Sequence, residues 1–515
     1  MNSYWIESTK ESEKEYQKLS KDLEVDVCII GAGLTGITSA YYLSDSKLEI
    51  AIIDRAGICS HVSGNSTAKI TSQHGLFYDY LITSYGLDFA KAYLESNQEA
   101  IKNIKNIIKN EKIDCDFSVQ DSYVYAFSEK ELDNIKKEVA AVQSLDFPCE
   151  FVKNIPLSLD CLGAIKFPNQ AQFNPRKYAL KLSEIISERG VKIYTYTTAT
   201  KVEKDEESYV ISANNNIIRA KHIILATHYP IVNFPGFYFL KMYQSMSYVI
   251  AVDTKSELPE GMYINAEIPT YSFRTTPYND KKLLIIAGGD HKVGEKIDLE
   301  NAYETLENKA KELYPQSEVL YRWCTEDCIS LDKIPYIGDF STIMPNLYVA
   351  TGFKKWGISS SNIASKIISD KILGFRNKYE DIYTATRLEP IKNHEELGNM
   401  VKESIKSLIT NKLKETPYTI EDINNDEGKI IEIDNKKVGV YKDANGKCYF
   451  IKPVCAHLGC ELSFNNVEKT WDCPCHGSRY DILGNVICEP AIKNLETPSI
   501  NPHQILPSDK NQHQN

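Results

Sequence analysis

No run of eighteen apolar residues occurs anywhere in the 515 residues of the chain, so no membrane-crossing helix is expected. The opening segment, MNSYWIESTKESEKEYQKLSKD, has neither an apolar core nor a twin arginine. That pattern excludes a secretory signal and makes a cytoplasmic location the expectation. Basic residues are in the minority, 59 Lys and Arg against 70 Asp and Glu, for a net charge of −11. No basic cluster with interleaved aromatics stands out, which argues against a nucleic-acid partner and against adhesion to anionic membranes. Internal repeats are lacking as well. What remains, 42% apolar and 25% charged residues, is the composition of a soluble globular protein. The length calls for two or three domains.

Cysteine is plentiful and unevenly placed. Of thirteen, five fall between Cys448 and Cys475. The sequence there reads Cys455-Ala-His457-Leu-Gly459-Cys460, then twelve residues, then Cys473-Pro-Cys475-His476-Gly477-Ser478. Each half offers a soft sulfur ligand and an imidazole on a short loop. A Rieske-type [2Fe–2S] cluster needs that set, with two thiolates on one iron and two imidazoles on the other. The expected ligands are Cys455, His457, Cys473 and His476. Zinc is the competing reading, but zinc sites rarely carry two extra cysteines at matched loop positions, as Cys460 and Cys475 are here. The stretch closely resembles the Rieske proteins of cytochrome bc complexes. That resemblance implies a disulfide between Cys460 and Cys475, a Ser478 hydroxyl bonded to a bridging sulfide and a Tyr480 hydroxyl bonded to a ligand thiolate. Such bonds raise the potential toward the top of the Rieske range, roughly −150 to +300 mV. A disulfide sits uneasily with a reducing cytoplasm unless burial protects it. Cys28, Cys59, Cys115, Cys149, Cys161 and Cys488 are scattered and read as small buried or incidental thiols. Cys324 and Cys328 stand four apart with no partner nearby in sequence and are read as non-functional.

At the other end, Val25–Ile30 is a short apolar β-type run leading into Gly31-Ala-Gly33-Leu-Thr-Gly36. A helical stretch follows to Leu43, then a second apolar run, Ile50–Ile53, ending at Asp54. This is a complete βαβ dinucleotide fingerprint. Gly31 serves the tight turn, Gly33 the approach of backbone to pyrophosphate, and Gly36 the close packing of helix on strand. The helix N-terminus faces the phosphates, and Asp54 can bond the ribose hydroxyls.

The wider chain resembles the D-amino-acid-oxidase-like FAD-dependent oxidoreductases, discontinuously over residues 20–385. The segments that carry the resemblance are Ser63-Gly-Asn-Ser66-Thr67-Ala-Lys69-Ile-Thr71, Phe173-Asn-Pro175, Ala199-Thr-Lys-Val202, Ile223–His228, Asp332-Lys-Ile-Pro-Tyr-Ile-Gly338 and Val349-Ala-Thr-Gly352-Phe-Lys-Lys-Trp356-Gly357-Ile358. It implies FAD as the dinucleotide. Ser63, Ser66 and Thr67 would form a loop past the flavin, and Val202 would offer backbone to the adenine. Gly338, Gly352, Trp356, Gly357 and Ile358 would form the late motifs that reach the isoalloxazine. The sequence departs from the family at the loop after Ser63, where Asn-Ser-Thr-Ala-Lys replaces an Arg-Asn-Gly-Gly-like run.

The expected organisation is a polar leader (1–21) and an FAD-dependent oxidoreductase domain (22–376). Its FAD lobe is expected from 22–78, 151–230 and 325–376, and its substrate lobe from 79–150 and 231–324. A linker with a helix (377–416), a Rieske domain (417–507) and a disordered tail (508–515) follow. The expected fold is a mixed α/β Rossmann-like FAD domain with an antiparallel-sheet substrate subdomain, plus a small all-β cluster domain. Glu395–Leu413 has an apolar stripe suited to packing between domains.

The expected function is that of a dehydrogenase. A small-molecule substrate, with its reacting C–H bond next to an amine nitrogen, gives hydride to the flavin. The electrons then pass through the cluster to an external acceptor. Reversed flow from an external donor, and a non-enzymatic carrier or redox sensor, are the alternatives. For a carboxylate-bearing amine the basic candidate is Arg274; Lys69 and His291 are weaker candidates.

Overall fold

The structure is a computed structural model and describes residues 2–295, 302–387, 418–434 and 436–498. The chain divides into two compact units. The first is Met1–His291 with Ala302–Asn393, and the second is Lys292–Asn301 with His394–Asn515.

The first unit contains two sheets. In one, Leu23–Ile30 lies between Ile50–Ile53 and Asn216–Leu225, both parallel to it. Leu347–Thr351 extends the sheet in parallel on one side and Lys192–Tyr194 on the other. Tyr336–Asp339 closes one edge antiparallel, and the hairpin Ala199–Asp205/Ser208–Ala213 joins Asn216–Leu225. Residues 27–30 and Ile50–Ile53 are buried throughout, as expected of parallel strands covered on both faces. The helices Leu34–Leu43 and Gly357–Ile372 pack together, the Ser365 hydroxyl donating to the Thr35 carbonyl at 2.8 Å.

The second sheet has nine strands. The main path runs Glu318–Ser330, Met242–Asp253, Lys281–Lys292, Ser272–Tyr278, Met262–Asn265, Ser118–Ala126, Gly163–Gln172, Lys69–Ile70. It corrects several sequence boundaries. Gly163–Gln172 and Glu150–Val152, within or bordering a stretch expected in the FAD lobe, pair here instead. Lys69–Ile70, read with the first βαβ, pairs with Gly163–Gln172. The expected boundary at 324/325 falls inside Glu318–Ser330, which pairs with Met242–Asp253 along its whole length. The sheet is mixed, because Met262–Asn265 runs parallel to Ser118–Ala126. Residues 1–21 are more than a polar leader. Trp5 is fully buried and Leu19 nearly so, because an amphipathic start can still place its few large apolar side chains in the core.

Apart from one short helical turn, Ile420–Asp422, the regular structure described in the second unit is all β. A three-stranded antiparallel sheet is formed by Glu427–Ile433, Lys436–Lys442 and Cys448–Ile451. A four-stranded one is formed by Ser463–Asn465, Thr470–Asp472, Arg479–Tyr480 and Val486–Cys488. Ile451, Leu462, Trp471, Tyr480 and Ala491 pack with Cys455, Cys460, Cys473 and Cys475 into one core. The helix expected over Glu395–Leu413 and the tail 508–515 lie outside the described residues. No helix among the described residues is long and apolar enough to cross a membrane.

Candidate functional site: a dinucleotide cradle and a thiol–imidazole cluster site

Leu23–Ile30 ends at Gly31, whose φ of 113° suits glycine alone. A Cβ on Gly31 would lie 2.4 Å from the Ala226 carbonyl oxygen, and one on Gly36 would lie 1.9 Å from that of Gly31. Turn, helix and strand therefore meet backbone to backbone. Gly33 is the N-cap of Leu34–Leu43, and the Leu34 N–H donates to Ser63 Oγ at 3.2 Å. Ser63 thus ties its loop to the anion-favouring end of the helix. Asp54 follows Ile50–Ile53 and accepts from the amides of Ala32, at 2.8 Å, and Ala56, at 2.7 Å. Burial pulls its carboxyl above the ordinary range against those bonds.

The same sign of burial recurs among neighbouring groups. His61 and His228 are pushed down to about 4, burial first in each case. Asp327 is pushed up to about 6, and Lys354 is pushed down to about 7. All four nonetheless retain accessible surface. The glycine cradle and the helix N-terminus fit the pyrophosphate of a dinucleotide.

The remaining expected cofactor residues lie on several elements of the first unit. Ser66 and Thr67 accept through their carbonyls from Trp5 Nε1 at 2.8 Å and Arg274 Nη1 at 3.3 Å. Val202 lies in the hairpin strand opposite Ile211. Gly338 and Gly352 have φ of 114° and 72°. Trp356 stacks on His74 at 4.7 Å and 12°, while Gly357 and Ile358 begin the helix Gly357–Ile372.

The three basic candidates are placed differently. Arg274 is 1% exposed. It donates to the carbonyls of Thr275, Thr67, Ala68 and Phe173, and its guanidinium stands 5.2 Å from the Trp5 ring. These contacts clamp the Ser63–Thr67 loop. Lys69 is buried, donating to the Tyr263 carbonyl at 3.0 Å and Ser272 Oγ at 2.6 Å; burial, then Arg274, pushes its ammonium well down. His291 stacks on Tyr248 with ring centroids 5.8 Å apart. Sequence reasoning missed Asp327, Asp290, Lys355 and Ser247. Lys355 pairs with Asp290 at 2.5 Å, and Ser247 Oγ donates to Asp290 at 2.6 Å. The available signal was the alternation Trp323, Thr325, Asp327, which in a strand means one shared face. Cys324 and Cys328 lie on that strand too, so four residues separate them by about 13 Å.

In the second unit the two cysteine loops share one backbone design. Cys455 N–H bonds to the Cys460 carbonyl at 2.8 Å and Gly459 N–H to that of Cys455 at 3.0 Å. Cys473 N–H bonds to the Ser478 carbonyl at 2.8 Å and Gly477 N–H to that of Cys473 at 2.9 Å. Each is a six-residue loop with cysteine first and a glycine fifth, at φ of 80° and 82°. His457 stands third in its loop and His476 fourth. Cys460 (sixth) and Cys475 (third) are joined by a disulfide, with Cα atoms 6.6 Å apart.

The His457 and His476 rings lie 5.0 Å apart at 90°. Burial pushes the two imidazoles down to about 4 and about 3, so both are neutral and able to ligate. A hydrogen bond from Cys473 holds the Cys455 thiol down at about 6, with Tyr480 adding to it. The Tyr480 hydroxyl lies 3.3 Å from Cys455 Sγ and accepts from the Ala456 amide at 3.0 Å. Ser478 Oγ accepts from the Ala491 amide at 3.0 Å, leaving its hydrogen to donate. Beneath the second loop, buried Arg479 pairs with buried Asp472 at 3.1 Å. Two thiols and two neutral imidazoles, brought together by paired loops, form a donor set that fits a [2Fe–2S] cluster of mixed ligation.

Comparison with known proteins agrees with this geometry. The family model "FAD dependent oxidoreductase" (DAO) matches residues 26–371, and the model "Rieske [2Fe-2S] domain" matches residues 418–499. A Rieske 2Fe-2S iron-sulfur protein of Bacillus subtilis, YhfW, is 37% identical over 494 residues, covering 96% of this chain and 97% of that one. Gamma-glutamylputrescine oxidoreductase of Escherichia coli is 21% identical over 384 residues, 71% of this chain and 87% of that one. The structure of glycine oxidase from Geobacillus kaustophilus superposes with a TM-score of 0.61 at 18% identity, covering 71% of this chain and 99% of that one. The chain therefore belongs to the FAD-dependent oxidoreductase family of the D-amino-acid-oxidase type and carries a C-terminal Rieske domain, so that its cofactors are FAD and a Rieske-type [2Fe–2S] cluster.

Proposed function

We propose that the protein is a dehydrogenase for an amine or amino-acid-like small molecule, whose electrons leave through the cluster to an external acceptor. The observation that carries this reading is the presence, in one chain, of the FAD cradle and the paired thiol–imidazole loops. When bound, FAD accepts a hydride and the cluster carries one electron at a time. The cradle residues Gly31, Gly33, Gly36, Asp54 and Ser63 bind the dinucleotide, and Cys455, His457, Cys473 and His476 hold the cluster. Arg274 and Trp5 fix the Ser63–Thr67 loop, and Tyr480 and Ser478 donate toward the cluster's sulfurs. The similarity to an oxidoreductase named for gamma-glutamylputrescine supports a substrate whose reacting carbon bears nitrogen.

The test is anaerobic. Amines are screened for bleaching of the flavin band, and the reduced cluster is followed by its EPR signal. The expected result is flavin bleaching followed by the signal. His457→Ala should keep the bleaching and lose the signal. A cluster that stays oxidised beside fully reduced flavin would rule out the relay.

A further inference from the structure

One face of the substrate sheet is turned toward both cofactor loops. Trp323 on that face donates its Nε1 hydrogen to the Asn65 carbonyl at 2.8 Å, within the Ser63–Thr67 loop. Lys355, from the loop that follows Gly352, reaches the same face and pairs with Asp290 at 2.5 Å. Thr325 and Asp327 share the face with Trp323 by the period of two along a strand. Antiparallel register sets Ser247 opposite Thr325 and Ser245 opposite Asp327. Lys355 Nζ also donates to Ser247 Oγ at 3.1 Å, and that hydroxyl donates onward to Asp290. Lys355 and Asp290 therefore neutralise each other.

Asp327 is left over. Among the described residues no hydrogen bond or ion pair reaches its carboxylate. The charged groups that act on it are Lys355, from the cofactor loop, Asp290, from Lys281–Lys292, and Glu326, its neighbour on the opposite face of its own strand. Beside it, Thr325 is 7% exposed and its hydroxyl has no hydrogen-bond partner among the described residues. The enclosed Thr325 hydroxyl is costly unless something satisfies it, and the Asp327 carboxylate beside it keeps accessible surface through which a ligand can reach it. What satisfies both is a cation that carries N–H donors. Arg274, the sequence's candidate for gripping a carboxylate, spends Nε and Nη1 on four backbone carbonyls, and its Nη2 is buried without a hydrogen-bond partner among the described residues.

We propose that Asp327 and Thr325 form an ammonium subsite, which selects substrates presenting a protonated amine at this wall over those presenting a carboxylate. The inference rests on the amine-oxidation reading and deepens it. Because burial holds the Asp327 carboxyl up at about 6, affinity for the cation falls as the pH drops through that value.

The experiment uses the FAD-loaded full chain and two readouts. Calorimetry measures binding of tert-butylammonium, a cation without a hydrogen on the carbon next to nitrogen, so that no oxidation intervenes. Anaerobic flavin bleaching by oxidisable amines gives KM. Asp327→Asn should weaken tert-butylammonium binding at least tenfold and raise KM by a similar factor, with FAD content unchanged. Thr325→Val, a milder change of nearly equal volume, should weaken binding about threefold. Asp327→Arg should bind pivalate in place of the cation. Failure of the wild type to bind the cation, or equal binding by wild type, Asp327→Asn and Thr325→Val, overturns the subsite. If amines bleach the flavin equally well in wild type and Asp327→Asn, the amine reading stands and the subsite falls. If the cation binds through Asp327 but no amine bleaches the flavin, the subsite stands and the amine reading falls.

Discussion

His74 shows how one side chain ties the cofactor loop to acid sensitivity. Its Nε2 lies 2.9 Å from the Thr71 carbonyl, which can only accept, so Nε2 carries the hydrogen and Nδ1 accepts from the Tyr93 hydroxyl at 2.7 Å. Trp356 covers the ring. Burial pushes the imidazole down to about 3 from an ordinary 6.5. Between those values the unfolded chain takes up a proton and the folded chain does not, so stability is full above pH 6.5 and falls as the pH drops. From this residue alone the loss at pH 5 is about 2 kcal/mol. Urea unfolding at pH 7 and pH 5 checks it: His74→Phe should lose less stability than the wild type on acidification.

Tyr480 and Arg274 give two further residue-scale expectations. Tyr480→Phe removes a hydroxyl 3.3 Å from Cys455 Sγ and should shift the cluster's midpoint potential negative, as read by voltammetry. Arg274→Ala leaves buried carbonyls without their donor and should cost about 3 kcal/mol of stability. Arg274's role was not legible in the sequence because its partners at Ala68 and Phe173 are 206 and 101 residues away. A residue type suggests a chemistry, but only the folded chain shows which of its donors are engaged.

At the scale of elements, the local motifs were the legible ones. The turn at Gly31 and the loops at Cys455 and Cys473 are each written in a few consecutive residues, since their geometry comes from nearby backbone and the φ freedom of glycine. Gly36→Ala would drive a methyl to within 1.9 Å of the Gly31 carbonyl. The expected outcome is protein that retains little FAD, measured as the ratio of flavin to protein absorbance. In the cluster loops, replacing Cys460 and Cys475 together by serine should leave the four ligands in place but speed cluster loss to a chelator, followed by visible absorbance. The sheet memberships of Lys69–Ile70 and Gly163–Gln172 were not legible, because a strand's pattern does not name its partner. Asp327 was hidden for the same reason: alternation marks a face without saying what that face meets.

At the scale of the whole molecule, two cofactors of different capacity share one chain. Flavin holds two electrons and the cluster one, so reductive titration should consume about three electron equivalents per chain. A titration that ends at two would mean that one of the sites does not fill. The family and both cofactors were legible at this scale because each has its own local motif. The substrate was not, because no short run of residues carries its recognition.

The pairing order of the two large sheets also bears on how the protein is made. The first sheet needs Leu347–Thr351 beside Asn216–Leu225, and the second needs Glu318–Ser330 beside Met242–Asp253. At a ribosomal rate of 5–20 residues per second, the chain emerges for about 20–70 s before either sheet can be completed. During that interval long apolar strands such as Met242–Asp253 have bare edges, which invite pairing with other chains. Recombinant yield should therefore respond more to slower translation, lower temperature and added chaperones than to flavin or iron supply, because neither cofactor has a finished site until the later strands arrive.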